Sequence, residues 1–217
     1  MMTKLLSKEM KLTASPLSYV FIAFAAMTMI PGYPILCGAF FVCLGIFYTY
    51  QQARECDDIT YTVLLPVRKR DVVTAKFLFT VIIELISFAI CVALTVIRMN
   101  AMSDAVPYVK NPMMNANVAY LGFVLLVFAL YNIFFVGGFF KNAYKIGAPF
   151  IIFCIVSFFA ISIGEALHHI PGLEYLNGTT GIDKVQIVIL ALGVVVFIAG
   201  TLLSHKISTH RFERIDF

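Results

Sequence analysis

Tryptophan is absent from this 217-residue chain, and charged side chains make up only 13% of it. A soluble domain is about a quarter charged and about half apolar. Here 61% of residues are hydrophobic and the mean hydropathy is +0.93. Folding in water would leave too much of that apolar surface uncovered, so the solvent for most of the chain is lipid. The length holds one membrane domain and no second, soluble one. Chemical motifs are scarce as well. No CxxC pair occurs. Cys37, Cys43, Cys91 and Cys154 lie in apolar stretches and Cys56 in a polar one, which argues against a disulfide framework or a zinc site. HExxH is missing and no Ser/His/Asp arrangement stands out. No GxxxxGK(S/T) phosphate loop is present; Gly137-Gly138-Phe139-Phe140-Lys141 lacks both its spacing and its hydroxyl. The N-terminus shows no signal-peptide cleavage pattern before the first apolar run and is expected to be retained. The net charge of +4 is not a nucleic-acid signal; its distribution along the chain matters more.

What is present is a series of apolar runs. A helix needs about 20 apolar residues to cross the hydrocarbon core. Residues 74–97, 118–140, 146–164 and 185–204 qualify readily. The run from 16 to 50 is too long for one span, and Pro31-Gly32-Tyr33-Pro34 interrupts it. Proline and glycine there favour a turn, so two short helices are expected at 17–30 and 35–50. A re-entrant hairpin at Pro31–Pro34 would give the same parity. Lys and Arg collect in cytoplasmic loops. Lys4, Lys8 and Lys11 precede the first run, and Arg54, Arg68, Lys69, Arg70 and Lys76 follow the proline turn, so an even number of crossings separates them. Lys141, Lys145, Lys206, Arg211 and Arg214 then also fall inside, leaving Arg98, Lys110 and Lys184 outside. The expectation is an all-α membrane protein of six transmembrane helices with both termini cytoplasmic. It would be a multi-pass protein of a cell membrane, and a bacterial plasma membrane is the expected setting.

Two polar segments stand out. In residues 1–15, Leu5, Leu6, Met10 and Leu12 recur at roughly helical spacing with lysines between them. That suits an amphipathic helix lying in the membrane interface. Residues 51–73 form a charged island around the short apolar core Val63-Leu64-Leu65-Pro66-Val67, directly between two spans. Such an island can dock onto a soluble partner. Within the third span, Glu84 is an ionisable group at depth, costly there and a functional candidate by default; three readings are open, a protonated acid, a pairing with Asn132, or a position facing a cavity along a dimer axis. His168 and His169 follow Glu165 without further metal ligands in evident geometry. Phe134-Phe135 and Phe158-Phe159 are read either as lining a lateral groove or, preferably, as packing against lipid.

The island and the junction between the fourth and fifth spans resemble the permease subunits of ABC-2-type exporters. The likeness is to the short six-span permeases whose ATPase is a separate chain, such as those of phenol-soluble modulin exporters. In that family a charged stretch after the second span leads to a leucine-proline-basic run, a basic-acidic pair and a lysine opening the third span. Here these are Glu55, Asp57 and Asp58, then Leu64-Leu65-Pro66-Val67-Arg68, then Arg70-Asp71 and Lys76. A second match runs from Leu130-Tyr131 through Phe139-Phe140-Lys141 to Ala143-Tyr144-Lys145, although Asn132 stands where the family often has proline. The tail from Ser204 with Arg211 and Arg214 also fits.

The resemblance implies that residues 51–73 hold a coupling helix that seats in a cleft of the nucleotide-binding subunit. Tyr61, Val63, Leu64 and Leu65 would form the dry centre of that contact, with Pro66 and Val67 beside it and Arg68, Lys69, Arg70 and Asp71 at its rim. Asp57 or Asp58 would cap the short helix, and Pro66 would end it or begin the next. The chain itself would bind no cofactor; ATP and Mg2+ would sit in the partner ATPase. The other implied partners are a second permease copy or a paralogue, membrane lipid and a hydrophobic or amphipathic cargo, with peptides as the first class to consider. Two other classes compete: an ion-gradient-driven secondary transporter, and a non-transporting scaffold or sensor that recruits a cytosolic protein. A lone Glu84 and one proline turn fit the first poorly.

Overall fold

The computed structural model describes residues 2–142, 145–179 and 181–215. Among them every regular element is helical. The first helix, α1 (Met2–Lys8), continues through a π-helical turn at Glu9–Thr13 and then bends by 95° into the next. Leu5 faces inward as the sequence suggests, but Glu9 is buried beside it and Leu12 is 76% exposed. The inward face is therefore set by a charged group as much as by the leucines.

Pro16 opens α2 (Pro16–Val20), where a missing N–H costs nothing. The helix tightens into a 3-10 segment at Phe21–Met29. The chain turns at residues 30–36, with Gly32 at φ 72° supplying the left-handed conformation. It returns as α3 (Cys37–Glu55), which ends five residues later than expected because the polar turn Gln51–Glu55 stays helical. The α2 segment packs tightly on α3. Ser18 Oγ donates to Gly45 O at 2.6 Å and shares a 2.6 Å hydrogen bond with Thr49 Oγ1. A Cβ on Gly45 would stand 2.4 Å from that of Phe21, so only glycine admits this approach.

A sharp reversal, with Asp57 at φ 50°, leads to α4 (Asp58–Val63). Aspartate is among the few non-glycine residues that tolerate that conformation. Then come α5 (Lys69–Ala101), the short α6 (Val106–Val109) and α7 (Val118–Leu130). The chain continues through a π-helical turn at Tyr131–Val136 into α8 (Gly137–Asn142), followed by α9 (Gly147–Ala166) and α10 (Lys184–Glu213). Asn117 caps α7 by accepting from Tyr120 N. The last helix runs nine residues past the expected end at Ser204, because Phe212 is buried and stacks edge-on against Phe140 at 5.4 Å.

By length and apolarity alone, four helices can cross a membrane: Lys69–Ala101, Val118–Lys141, Gly147–His169 and Lys184–Glu213. A fifth is counted if the bent pair Met2–Thr13 and Pro16–Met29 is one span. The two shorter helices expected at 17–30 and 35–50 correspond to α2 with its 3-10 extension and to α3. The segment Val118–Lys141 is the hub, with 67% of its apolar window buried, against 17% for Gly147–His169 and 22% for Lys184–Glu213. Its closest neighbour is α10: a Cβ on Gly193 would meet Gly122 O at 2.5 Å. Such near contact between backbones is how apolar helices gain van der Waals attraction in lipid.

The two ends of the bundle differ. At one end the loop after α5 folds over the proline turn. Arg98, buried, donates to Thr28 O at 2.8 Å and to Asn115 Oδ1 at 3.0 Å, and its guanidinium lies 4.0 Å from the Tyr108 ring centroid. Gly32 N donates to Asn111 Oδ1 at 3.1 Å. At the other end α1, α4, the start of α5, α8 and the end of α10 come together.

Candidate functional site

The island residues singled out in the sequence sit at that second end. Tyr61, Leu64 and Leu65 are 68%, 75% and 54% exposed, and Pro66 is exposed next to them. Val63 and Val67 are half-buried and pack on the core. Of the expected rim, Arg68 forks onto Asp71, with Nε 3.0 Å from Oδ2 and Nη2 3.2 Å from Oδ1. Asp71 lies in the first turn of α5, where the helix dipole favours a carboxylate. Lys69 Nζ donates to Ile215 O at 2.6 Å, tying the island to the C-terminal helix. Arg70 is exposed. Neither Asp57 nor Asp58 caps α4 through its side chain. The helix ends at Val63, and Pro66 lies in the link before α5.

Asp58 is used elsewhere. Lys76 Nζ stands 2.9 Å from Glu9 Oε2 and 3.2 Å from Asp58 Oδ2. Lys8 Nζ stands 2.5 Å from Asp58 Oδ1 and 3.2 Å from Glu9 Oε1. Two lysines and two carboxylates close a ring, with Glu9 and Lys76 1% and 2% exposed. Lys8 also donates to Thr62 Oγ1 at 2.8 Å, and Thr13 Oγ1 to Asp58 Oδ1 at 3.3 Å. Burial pushes the Asp58 carboxyl up, but the Lys76 and Lys8 ammonium groups outweigh it and hold it below the ordinary carboxylate value. The ring fastens the base of α4 to α1 and α5 while leaving Tyr61, Leu64 and Leu65 free.

The ring was not legible as a unit in the sequence. Its members lie in three segments, with Glu9 and Lys76 67 residues apart. The one available signal was a lone acid, Glu9, among the lysines of an amphipathic helix, together with Lys76 inside an apolar run.

Glu84 is fully buried within α5. Asn132 Nδ2 donates to Glu84 Oε2 at 2.9 Å and to Thr201 Oγ1 at 3.0 Å, so the expected pairing is present and extends to α10. Asn132 lies in the π-helical turn, and its carbonyl accepts from Gly137 N and from Ser204 Oγ, the latter at 2.7 Å. Asparagine at this position, where the resembled family often has proline, thus joins three helices through one side chain and one carbonyl. Glu84 Oε1 and Asn132 Oδ1 are buried without hydrogen-bond partners. π-turns inside helices are rare and frequent at functional sites, and buried polar atoms without partners are exceptions that need a reason.

The remaining candidates are absorbed into structure. His168 Nε2 donates to Pro112 O at 3.1 Å, and Glu165 Oε2 accepts from Met114 N at 2.8 Å. Among the described residues no cluster of three or more potential metal ligands occurs. Phe135 is in the core, while Phe158 and Phe159 point outward at 68% and 61% exposure. Ala143 and Tyr144 of the aromatic motif lie outside the described residues. A lateral cavity of about 780 Å³ opens between α3 and α9, walled by Cys37, Phe40, Phe41, Cys154 and Phe158 with Glu165 at its edge.

A family model described as ABC-2 family transporter protein matches residues 4–213. No curated protein and no solved structure matches the chain.

Proposed function

The chain belongs to the ABC-2 transporter family, and from that premise we propose that it transmits the closure of a separate ABC ATPase to a transport pathway across the membrane. It is a multi-pass membrane protein and the permease component of an ABC transporter. In our reading α2, with its 3-10 extension, and α3 form two short spans, so that six spans place both termini on the cytoplasmic side. There α1 lies in the interface and α4 is the coupling helix. ATP and Mg2+ bind in the partner ATPase. The observation that carries the proposal is the set Tyr61, Leu64 and Leu65, exposed on a short helix and the turn that follows it, with the base of the helix held by the ring of Lys8, Glu9, Asp58 and Lys76.

A push on Leu64 and Leu65 reaches α5 through Asp58 and Lys76. The helix α5 is 33 residues long, about 50 Å at 1.5 Å per residue. It carries that displacement to Glu84, where Asn132 links it to the π-turn and to α10. Nucleotide shifts the equilibrium only insofar as the closed ATPase pair favours one arrangement of these helices. The outward face of α9, with Ile151, Ile155 and Phe159 exposed, suits a second permease copy or a paralogue. The cavity between α3 and α9 has the apolar walls that a hydrophobic or amphipathic cargo needs, and peptides are the first class to assay.

The test is to replace Leu64 and Leu65 together with Asp and purify the chain co-expressed with its ATPase. Retention of the ATPase should fall at least tenfold, as loss of a buried apolar centre implies, while membrane insertion persists. Undiminished co-purification would overturn the proposal.

A further inference from the structure

At the same end of the bundle, on the side away from the ring, a second group of cations gathers. A cavity of about 430 Å³ runs between the π-turn, α9 and α10, walled by Ile133, Ile152, Gly200 and Leu203 and bounded at its mouth by Lys141 and Arg211. It shares Leu203, Ile207 and Arg211 with a second hollow of about 780 Å³, whose rim adds Arg70, Lys206 and Glu213. Among the described residues Arg70, Lys141, Lys206 and Arg211 have no carboxylate within ion-pair distance. All four are exposed. Glu213 is the one acid on that rim.

We propose that this groove binds an anionic phospholipid, with an acyl chain along Ile133, Ile152, Gly200 and Leu203 and the phosphate between Lys141 and Arg211. Two features select that occupant. The wall is formed by membrane-spanning helices, with Ile152 47% and Leu203 60% exposed, so the surroundings of the groove are hydrocarbon. The mouth carries charge of one sign where the helices leave the apolar layer, and basic pockets between spans recognise anionic headgroups there. A soluble acidic protein would satisfy the cations but leave the wall bare. A Cβ at Gly200 would stand 2.8 Å from Ile133 Cδ1, so a larger residue there would displace the Ile133 side chain that lines the groove.

Native mass spectrometry of the purified full-length chain, offered phosphatidylglycerol and phosphatidylcholine with identical acyl chains, tests this site. Wild type should retain phosphatidylglycerol preferentially. Lys141→Gln and Arg211→Gln should each lower that preference about fivefold, following roughly 1 kcal/mol per basic residue near the surface. Gly200→Leu should reduce occupancy by both lipids by filling the floor. Lys4→Gln with Lys11→Gln, which removes from α1 and the π-helical turn after it as much charge as the Lys141/Arg211 double variant loses, should leave the preference unchanged. Monodisperse elution of each variant checks folding. Equal lipid preference in wild type and the Lys141/Arg211 double variant overturns the site. So does an equal loss in the Lys4/Lys11 variant, or a lipid-free dimer whose interface covers the groove.

Discussion

Two clusters of basic side chains share one end of this molecule and solve the same electrostatic problem differently. Around α1, α4 and α5, Lys8 and Lys76 are buried or half-buried and neutralised by Glu9 and Asp58 from separate segments. Around α8 and α10, Lys141, Lys206 and Arg211 remain exposed without acidic partners among the described residues. The first cluster is complete within the chain and acts as a joint. The second is incomplete and turns toward its surroundings. Charge count alone, which places both groups on the same side, does not separate a structural fastening from a surface that recruits an anion.

The sharpest contrast is in stability. Lys76→Met leaves Glu9 and Asp58 with only Lys8, and removing one partner from a buried ion network costs about 3–5 kcal/mol. A fall of that size should appear in the thermal or denaturant midpoint of the detergent-solubilised chain. Glu84→Ala comes next. It strips Asn132 of one acceptor inside the bundle, at a cost of about 1–3 kcal/mol. Glu84→Gln keeps an acceptor and should leave the midpoint nearly unchanged, while ATPase stimulation reveals whether the acid itself is needed.

Acid should loosen the ring in a defined direction. Asp58 is held below its ordinary value in the fold, so the unfolded chain binds the proton first as pH falls. Its stabilisation is complete above the unfolded pKa of about 3.9 and disappears as pH drops through the lower folded value. The stability gap between wild type and Asp58→Asn should therefore be constant above about pH 5 and close below about pH 4. A gap that widened on acidification would mean that the lysines do not face Asp58. The smallest effect belongs to the second cluster: Lys141→Gln and Arg211→Gln should change the midpoint by no more than about 0.5 kcal/mol.

Much of this was legible in the sequence because lipid simplifies the pattern. Apolar runs bounded by charge located α5, the α7 to α8 segment, α9 and α10, and Pro31 to Pro34 located the break between α2 and α3. The polar island pointed to its knob, since Tyr61, Leu64 and Leu65 lie in a short apolar stretch with charged residues on both sides. Helix ends were less clear. Gln51 to Glu55 and residues 205–213 look like loop by polarity, yet they stay helical through contacts with other segments, as Phe212 does on Phe140. The ring was hidden for the same reason. Glu9, Asp58 and Lys76 each resemble a solvated surface charge until the bend after Thr13 and the reversal at Asp57 bring them together.

The most direct measurement is photo-crosslinking from the knob itself. A benzophenone amino acid placed at Leu64 in the membrane-embedded, co-expressed complex should yield an adduct with the ATPase chain, and the same probe at Leu12, in the π-helical turn after α1, should not. Adducts from Leu64 with lipid alone, or labelling of the ATPase from both positions alike, would contradict docking at α4.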